Sequence, residues 1–455
     1  MRKTKRFFYP LVLIPLLLIL TLLGWFFAIV FEGDRPVAAL QPLPAFLSGD
    51  QPFVLEADDR KRGLRSIRVT VTQEGREVKV FEEQFPFQGF LNRQGKHDYK
   101  KEFKIDPSAL NLAQGRVDLH IHVRDYSRRN GGDGNLNLIH HKMTVDTIPP
   151  SVSALSRMHN INRGGSGLVL YQTSSDTRIS GVFVDDHFFP GSPAGKDPLK
   201  GYHVCYFALP HDSSSDPNVF LWAEDEAGNV TRTTFYYHII PKRFRKDKMN
   251  ITDGFLERVI PYFSFYSMES EKTLIEKYLK INNALRKEND RTLQELVKKT
   301  AAVQLWEGPF LRQQNAATMA RFADHRQYYY KGEKVDEQTH LGVDLASLAN
   351  SPVPASNNGR VLFAGRVGIY GSTVLLDHGQ GVVTVYSHLS RIDVVVDQEV
   401  KKGDIIGLTG QTGLAGGDHL HFAVMVHGLF VNPVEWWDSH WIKDNVSIKL
   451  AQILD

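Results

Sequence analysis

The sequence predicts a mainly β chain of several domains, with one transmembrane helix near its start and one helical segment further on. Three observations predict this fold class: a long apolar stretch near the N-terminus, repeated runs of alternating apolar and polar residues, and an ordinary hydrophobic content of 42%. At roughly 100 to 200 residues per domain, 455 residues correspond to three or four domains. The composition excludes collagen-like, low-complexity and wholly disordered chains.

The charges and the cysteine content exclude several classes of function. Lys and Arg number 54, and Asp and Glu number 51, which gives a formal net charge of +3. This balance does not favour a nucleic-acid partner, and we expect none. The sequence has one cysteine, Cys205, so it has no intramolecular disulfide, cysteine-based zinc finger or iron–sulfur cluster. It also contains no P-loop or dinucleotide-binding glycine motif.

For residues 1–31 the sequence predicts a short basic cytoplasmic segment followed by a transmembrane anchor. Arg2, Lys3, Lys5 and Arg6 precede a stretch without charged residues from Phe7 to Phe31. As a helix this stretch is about 38 Å long, which exceeds a hydrocarbon core of about 30 Å. By the positive-inside rule we expect a single-pass protein of the inner (cytoplasmic) membrane, with the bulk of the chain periplasmic or extracellular. A cleaved signal peptide is the alternative, although the stretch is longer than the usual apolar core of such a peptide.

Two β-sandwich modules are predicted next, at residues 45–146 and 147–241. The segment SIRVTVT at Ser66–Thr72 alternates apolar and polar residues, as half-buried strands require. The two prolines of DTIPP at Asp146–Pro150 mark the junction, because they cannot lie inside a central strand. Together with the turn WAEDEAGN at Trp222–Asn229, this junction loosely resembles bacterial immunoglobulin-like domains. We expect spacers or docking surfaces, which leaves room for a cell-wall or division protein as a partner.

A helical linker is predicted at residues 242–305. Leu274, Tyr278 and Leu285 belong to an apolar stripe whose members recur mostly three and four residues apart. The basic stretch KRFRKDK at the start of the linker is interpreted as solvated, with a role at the membrane surface as the alternative. A strand-rich and glycine-rich domain follows at 306–440, and a tail at 441–455 comes after it.

Two short histidine motifs in that last domain carry metal-binding chemistry. His340 and Asp344 form H-x-x-x-D in THLGVDLAS, and His419 and His421 form H-x-H in GGDHLHFAV. Residues two or four apart in an extended strand share a face, so we expect each motif to aim both of its side chains the same way. Such an arrangement suits a metal held by two histidines and one carboxylate, with one position open for water.

The same motifs also occur elsewhere in the chain. With 18 histidines in 455 residues, fewer than one H-x-H pair is expected by chance, yet a second pair exists at His120 and His122. A second H-x-x-x-D exists at His440 and Asp444. We expect no metal at either place, because the first pair lies in the membrane-proximal β module and the second follows the last recognisable strand. The surroundings of the other two motifs distinguish them.

An ordered set of segments surrounds these two motifs: HLGVDLA, NNGRVLFAG, YGSTVLLDHG, VYSHLS, GDIIGLTGQTG, GDHLHF and VNPVEWW. This set strongly resembles the lysostaphin-type (LytM-like) zinc metallopeptidases, which are peptidoglycan endopeptidases. The resemblance implies an antiparallel β-sheet metallopeptidase domain at 306–440, with the metal in a groove over the sheet. It also implies Zn2+ as the cofactor and peptidoglycan as the partner.

Carried over residue by residue, the resemblance makes His340, Asp344 and His421 the zinc ligands and His388 and His419 the catalytic histidines. All five positions are filled. The implied function is that of a membrane-anchored zinc metalloendopeptidase, a peptidoglycan hydrolase that cleaves peptide cross-links through a zinc-activated water. The alternative is a non-catalytic LytM-like protein that binds the wall or activates an amidase, in which we would expect some of the five residues to be lost.

Two further questions stay open at the level of the sequence. The resemblance covers enzymes that cleave glycine-glycine bridges as well as enzymes that cleave D-alanyl cross-links. The groove could also be covered, either by Tyr328–Asp336 just ahead of His340 or by the helical segment.

Overall fold

The structure is a computed structural model that describes residues 8–453, so the basic cluster at Arg2, Lys3, Lys5 and Arg6 lies outside the described residues. These residues pack into two compact units. Unit 1 contains the described residues up to Pro149 together with Asp225–Asn229, and unit 2 contains Pro150–Glu224 and the residues from Val230 onward. The predicted boundaries at 241, 305 and 440 remain predictions, because unit 2 includes the residues on both sides of each.

The first described element is an apolar helix, α1 (Phe8–Val30), with Pro15 inside it. Its residues Val12–Val30 have a mean hydropathy of 2.7 over the best window, and those from Val12 to Ala28 are exposed. By length and composition this helix is able to cross a membrane.

Unit 1 continues with strands in two sheets around one core. The sheets have the orders β1-β3-β6 and β2-β8-β7-β4-β5. The predicted alternation in β4 buries Ile67, Val69 and Val71 completely, and these side chains share a cluster with Phe53 of the other sheet. Burying each such side chain contributes about 1.5–3 kcal/mol. The strands are β1 (Val37–Gln41), β2 (Phe46–Leu47), β3 (Gln51–Asp58), β4 (Leu64–Gln73), β5 (Arg76–Gln84), β6 (Asp98–Ile105), β7 (Gly115–Asp125) and β8 (Leu136–Val145).

The first half of unit 2 also consists of two sheets, each with four strands, in the orders β14-β15-β11-β9 and β13-β12-β16-β17. A further short pair, β10 with β18, is parallel. Val169, Tyr171, Phe207 and Leu221 are fully buried between these elements. The strands are β9 (Val152–Ala154), β10 (Asn160–Asn162), β11 (Ser166–Thr173), β12 (Thr177–Val184), β13 (His187–Pro190), β14 (Ser192–Pro193), β15 (Tyr202–Ala208), β16 (Val219–Asp225), β17 (Val230–Thr233) and β18 (His238–Ile240).

The predicted helical linker contains one strand before its helices. These elements are β19 (Lys246–Ile251), α2 (Asp253–Val259), α3 (Leu274–Lys280), a π-helical turn (Ile281–Leu285) and α4 (Arg286–Leu296). A capping box between Thr273 and Glu276 starts α3, because each side chain binds the backbone N–H of the other residue. The predicted apolar stripe buries Tyr278 and Leu285 in the core that the rest of unit 2 shares.

The last part of unit 2 is built on an eight-stranded sheet with the order β20-β23-β31-β27-β26-β25-β29, and β32 pairs with β31. Two three-stranded sheets have the orders β19-β21-β22 and β24-β30-β28. Val374, Val385 and Ala423 are fully buried in the large sheet. The prediction of a mainly β chain with one apolar N-terminal helix is confirmed.

The strands of this last part are β20 (Ala317–Ala320), β21 (His325–Tyr330), β22 (Glu333–Thr339), β23 (Val343–Ala346), β24 (Pro352–Pro354), β25 (Gly359–Val367), β26 (Gly371–Asp377), β27 (Val382–Leu389), β28 (Arg391–Ile392), β29 (Glu399–Val400), β30 (Ile405–Leu408), β31 (Leu420–Val426) and β32 (Leu429–Val431). Short helices follow at α5 (Pro433–Trp437), α6 (Ser439–Ile442) and α7 (Ile448–Leu450).

Candidate metal centre

Three neighbouring strands of the large sheet, β23, β31 and β27, position the predicted site residues. Asp344 on β23 is the direct cross-strand partner of His421 on β31. His421 also lies opposite Ser387 on β27, the residue before His388. Because directly opposite residues have their Cβ atoms about 4.5–5.5 Å apart, the strand register alone brings Asp344 and His421 together.

His340 reaches the same place from a bend rather than from a strand. It lies between β22 and β23, and the chain bends at Gly342. We expected the two residues of the H-x-x-x-D motif to share one strand face. They do not, because His340 and Asp344 lie on either side of this bend. A Cβ atom on Gly342 would lie 2.6 Å from Cε1 of His421, so only glycine lets the bend pass so close to that ring.

Three potential ligand atoms converge at this point. Nε2 of His340 lies 2.9 Å from Oδ1 of Asp344, and Nδ1 of His421 lies 2.9 Å from the same oxygen. The two histidine nitrogens are 3.0 Å apart. The structure thus brings together the three residues that the resemblance implies as zinc ligands.

The protonation of His340 tests whether this set fits a metal. Nδ1 of His340 lies 3.0 Å from the carbonyl oxygen of Arg321, so this nitrogen carries the proton and donates it there. In the neutral ring Nε2 is then unprotonated, and its lone pair faces the carboxylate oxygen of Asp344 at 2.9 Å. Two lone pairs at that distance repel each other unless a cation lies between them. Two imidazole nitrogens and one carboxylate oxygen are a donor set that zinc accepts.

The charge states of the buried groups also suit metal binding. Burial lowers the pKa of His421 to about 4. Burial, followed by the neighbouring His419 and His421, lowers the pKa of His388 well below its usual value. Burial by itself would raise the pKa of Asp344, but His340, His419 and His421 lower it well below its usual value. At neutral pH the site therefore offers a carboxylate at Asp344 and neutral imidazoles at His388 and His421.

The two remaining histidines each donate one ring N–H to a backbone carbonyl. His388 donates from Nδ1 to the carbonyl oxygen of Thr412, and His419 donates from Nδ1 to the carbonyl oxygen of Gly417, both at 2.8 Å. Their ring centres are 4.8 Å apart, and Nε2 of His419 lies 3.6 Å from Oδ1 of Asp344. His388 has a φ of 63°, a left-handed conformation that is unusual for histidine and recurs at functional sites. Both Nε2 atoms can accept or donate a proton.

Sequence reasoning missed Arg326, on β21. Its Nη2 donates a hydrogen bond to Oδ2 of Asp344 at 2.8 Å, so the carboxylate has one oxygen toward the histidines and the other toward a guanidinium. The Arg326 side chain is 18% exposed. No local pattern in HRQYYY marks this arginine, because its role depends on a carboxylate that lies on a different sheet.

A cavity of about 420 Å³ opens over all five predicted site residues. Part of its wall comes from β19, the helical segment and β21: Met249, Phe255, Tyr278, Arg286 and Tyr328. The two predicted covers, Tyr328–Asp336 and the helical segment, therefore both border the groove. They are also joined to each other, because the side-chain amides of Asn282 and Asn283 donate to Oδ2 of Asp336 at 2.7 and 2.9 Å.

The two duplicate motifs show no such convergence. The rings of His120 and His122 are 6.5 Å apart and nearly parallel, with 13° between their planes. The side chain of His440 is 91% exposed, and its ion-pair partner is Asp438. Neither pair belongs to a group of converging ligand atoms among residues 8–453.

Comparisons with known proteins agree on the class of this domain. Residues 338–433 match Peptidase family M23. The DD-carboxypeptidase/endopeptidase Mpg of Neisseria meningitidis serogroup B is 42% identical over 95 residues, which are 21% of this chain and 22% of that protein. The peptidoglycan DD-endopeptidase ShyA of Vibrio cholerae is 38% identical over 96 residues, again 21% of this chain and 22% of the relative. The chain thus spans about a fifth of the length of these relatives.

Among solved structures, the catalytic domain of lysostaphin from Staphylococcus simulans is 28% identical, with a TM-score of 0.24 over 27% of this chain and 92% of that one. An antiparallel sheet with two histidines and one carboxylate at the base of a groove is the arrangement of a metallopeptidase domain. The C-terminal part of the chain carries a domain of Peptidase family M23, as the sequence predicts. All five predicted site residues lie inside the matched range.

Proposed function

We propose that the protein is a membrane-anchored zinc metalloendopeptidase that hydrolyses peptide cross-links of peptidoglycan. The observation that supports this most is the convergence of His340, Asp344 and His421 to within 3.0 Å at the base of a groove that also contains His388 and His419. The names of the curated relatives, which include peptidoglycan DD-endopeptidases, favour the substrate class and, within it, D-alanyl cross-links.

His340, Asp344 and His421 are proposed to hold the zinc ion. When bound there, zinc would supply Lewis acidity and lower the pKa of a bound water towards about 7. Arg326 keeps Oδ2 of Asp344 turned away from the histidines. His388 and His419 are proposed as the pair that accepts a proton from the attacking water and delivers one to the leaving amine or the developing oxyanion. Such general acid–base catalysis contributes about 10²–10⁴-fold to a rate.

The proposed location follows from α1. A helix with this length and hydropathy is able to cross the inner (cytoplasmic) membrane once, and the bulk of the chain would then be periplasmic or extracellular, where peptidoglycan lies. The proposed domain division is an anchor at 1–31, β-sandwich modules at 45–146 and 147–241, a helical linker at 242–305, the peptidase domain at 306–440 and a tail at 441–455. We propose the β modules as the place where a cell-wall or division protein docks.

The test combines metal analysis with product analysis on the full chain in detergent. Zinc content is measured by mass spectrometry, and purified peptidoglycan is incubated with the protein before its muropeptides are analysed. We expect about one zinc per chain and the release of new amino termini, and we expect a chelator to abolish this release. Bound zinc without release from several wall types would contradict the endopeptidase. It would favour the wall-binding or amidase-activating alternative, which an assay with a separate wall amidase then checks.

A further inference from the structure

The end of α1 is hydrogen-bonded directly to the loop that follows β7 in unit 1. The backbone N–H of Arg128 donates to the carbonyl oxygen of Val30, and Nε of Arg129 donates to the carbonyl oxygen of Phe31, both at 2.8 Å. The hydroxyl of Ser127 donates to the carbonyl oxygen of Glu32 at 2.8 Å. Glu32 itself is 5% exposed, two residues after the helix ends. The module therefore begins where the apolar helix stops, without a flexible spacer between them.

A groove of about 1730 Å³ lies beside this junction, and all its lining residues belong to unit 1. The apolar part of its lining includes Phe27 and Phe31 from the end of α1 and the exposed rings of Phe87 and Phe90. The charged part has six arginines against the carboxylates of Glu82 and Asp133. The arginines are Arg62, Arg65, Arg68, Arg124, Arg128 and Arg129.

These arginines are concentrated at one end of the five-stranded sheet. Strand β4 carries Arg65 and Arg68 near its start, and its other end at Gln73 is about 30 Å away. Strand β7 runs antiparallel to it, so Arg124 near the end of β7 lies at the groove end of the sheet. Arg76 and Arg116 lie at the opposite end of the same sheet. The helix end and the basic groove thus share one end of the module.

The position of this groove relative to a membrane follows from the helix. A hydrocarbon core that ends where α1 ends is followed by the layer of lipid phosphates, and the groove begins in this layer. Guanidinium groups pair well with phosphate, and Phe, Trp and Leu form the apolar faces that interfacial helices bury at the boundary between headgroups and acyl chains. Phe87 and Phe90 are 49% and 66% exposed, and Arg62 lies over the Phe87 ring at 5.6 Å. Apolar rings beside guanidinium groups match both parts of the lipid interface.

We propose that this arginine groove docks unit 1 on the membrane, with the phosphates of anionic phospholipids bound by its arginines other than the buried Arg62 and with Phe87 and Phe90 in the headgroup layer. The inference rests on the proposed membrane anchoring by α1. It gives the module next to the membrane a fixed orientation and thereby a fixed starting point for the chain that leads to the peptidase domain. Each arginine near an anionic surface changes the docking equilibrium by about fivefold.

The test uses the full chain in lipid nanodiscs with a spin label at position 90. Cys205 is fully buried, so a nitroxide reagent reacts with Phe90→Cys and leaves Cys205 unmodified. Electron paramagnetic resonance then compares collisions of the label with oxygen, which concentrates in lipid, and with a water-soluble nickel chelate. In nanodiscs that contain phosphatidylglycerol we expect the label at position 90 to collide more often with oxygen than with the nickel chelate. A second label at Arg76→Cys, at the far end of the sheet, serves as the matched site and is expected to favour the nickel chelate.

Two double variants separate specific docking from a general effect of charge. In the Phe90→Cys chain, Arg124→Gln with Arg128→Gln is expected to lower the docking equilibrium constant by about 25-fold, five for each arginine. Arg116→Gln with Arg76→Gln removes the same charge at the far end and is expected to change nothing. An equal effect of both double variants would overturn the proposal. So would a label at position 90 that stays aqueous in anionic nanodiscs.

The failure of the anchor is distinguishable from the failure of the groove. An aqueous label at position 90 on a chain that resists alkaline extraction from the nanodiscs would overturn the docking and leave the anchor intact. Release of the chain by alkaline extraction would overturn the anchor and, with it, the docking.

Discussion

Two histidine clusters in this chain share the H-x-H motif but differ in almost every physical property. The buried cluster of unit 2 consists of His340, Asp344, His388, His419 and His421. The exposed cluster of unit 1 consists of Asp118, His120, His122 and His140. In the buried cluster His340, Asp344, His388 and His421 are only 6% to 9% exposed. In the exposed cluster the side chains of His140 and Asp118 are 41% and 40% exposed.

The ring orientations explain why only one of these two clusters presents converging ligand atoms. His120 lies opposite His140 across β7 and β8, with ring centres 4.7 Å apart and only 4° between the planes. Stacked rings point their nitrogens side by side instead of at a common point. The rings of His340 and His421 are inclined by 68°, and their nitrogens meet at Asp344. The two side chains of an H-x-H pair thus lie on the same face of a strand. A metal site of this kind also needs a carboxylate opposite one of them on the neighbouring strand and a bend that brings in another histidine.

The largest expected effect distinguishes the two clusters directly. His421→Ala removes one of three converging ligand atoms, so we expect loss of both the zinc and the hydrolysis. His122→Ala, the matched change in the exposed cluster, should alter neither. Zinc content and muropeptide release of both variants are the measurement. A His421→Ala protein that kept its zinc would contradict the ligand assignment.

The next effect divides the buried cluster itself into ligands and proton carriers. His388 is not one of the three proposed ligands, and its Nδ1 donates to a backbone carbonyl, so His388→Ala is expected to keep the zinc and lose hydrolysis by about 10²–10⁴-fold. Zinc content and initial rates measured on the same sample check this. Full turnover in His388→Ala would exclude this residue from proton transfer.

Arg326 provides a weaker test of how the buried cluster is supported. Arg326→Met keeps the packing of the side-chain stem and removes the hydrogen bond to Oδ2 of Asp344, so we expect a loss of about 10- to 100-fold in zinc affinity. Competition with a zinc-binding dye measures the affinity. Arg360→Met, at a half-buried arginine whose carboxylate partner is Asp397, is the control. If Arg326→Met bound zinc as tightly as the control does, Arg326 would line the groove without contributing to zinc binding.

The groove above the buried cluster gives a smaller expected effect in the opposite direction. Asp336→Ala removes the two hydrogen bonds that its carboxylate accepts from Asn282 and Asn283 and leaves the one from Gln338 to Asn283 in place. Each bond to a carboxylate contributes about 1.5–3 kcal/mol. We expect the wall to open more often and kcat/KM on muropeptides to rise several-fold, with zinc content unchanged. Glu333→Ala on the same strand controls for the loss of charge. A fall in kcat/KM would show that this wall helps to bind substrate.

The smallest expected effect belongs to the exposed cluster. The hydrogen bond from His140 lowers the pKa of Asp118, so the pair stabilises unit 1 above the ordinary pKa of a carboxyl group and loses this contribution as the pH falls through the lowered value. Exposed pairs of this kind contribute between 0 and about 1 kcal/mol. Asp118→Asn should therefore shift thermal unfolding at pH 7 only slightly and leave zinc content and hydrolysis unchanged. A loss of zinc would mean that the exposed cluster binds metal after all.

Much of this protein is predictable from its sequence because the underlying signals are local. The apolar run that forms α1 and the alternation that buries Ile67, Val69 and Val71 both lie within a few residues of chain. The five site residues are predictable for another reason, since each stands in a short motif of a recognisable family. The prediction that His340 and Asp344 share a strand face was wrong, because the chain bends at Gly342 between them, although Nε2 of His340 and Oδ1 of Asp344 still lie 2.9 Å apart.

The sequence by itself determined the mainly β class, the apolar helix, the family of the C-terminal domain and the residues that converge in it. Only the tertiary structure decided which distant groups surround them. It placed Arg326 on the second oxygen of Asp344 and the helical segment in the wall of the groove. It also gathered six arginines at the end of α1, although they lie between residues 62 and 129 of the chain. The physical reason is that local periodicity specifies which side of a strand or helix is apolar, whereas the identity of a contact partner depends on how strands pair across long stretches of chain.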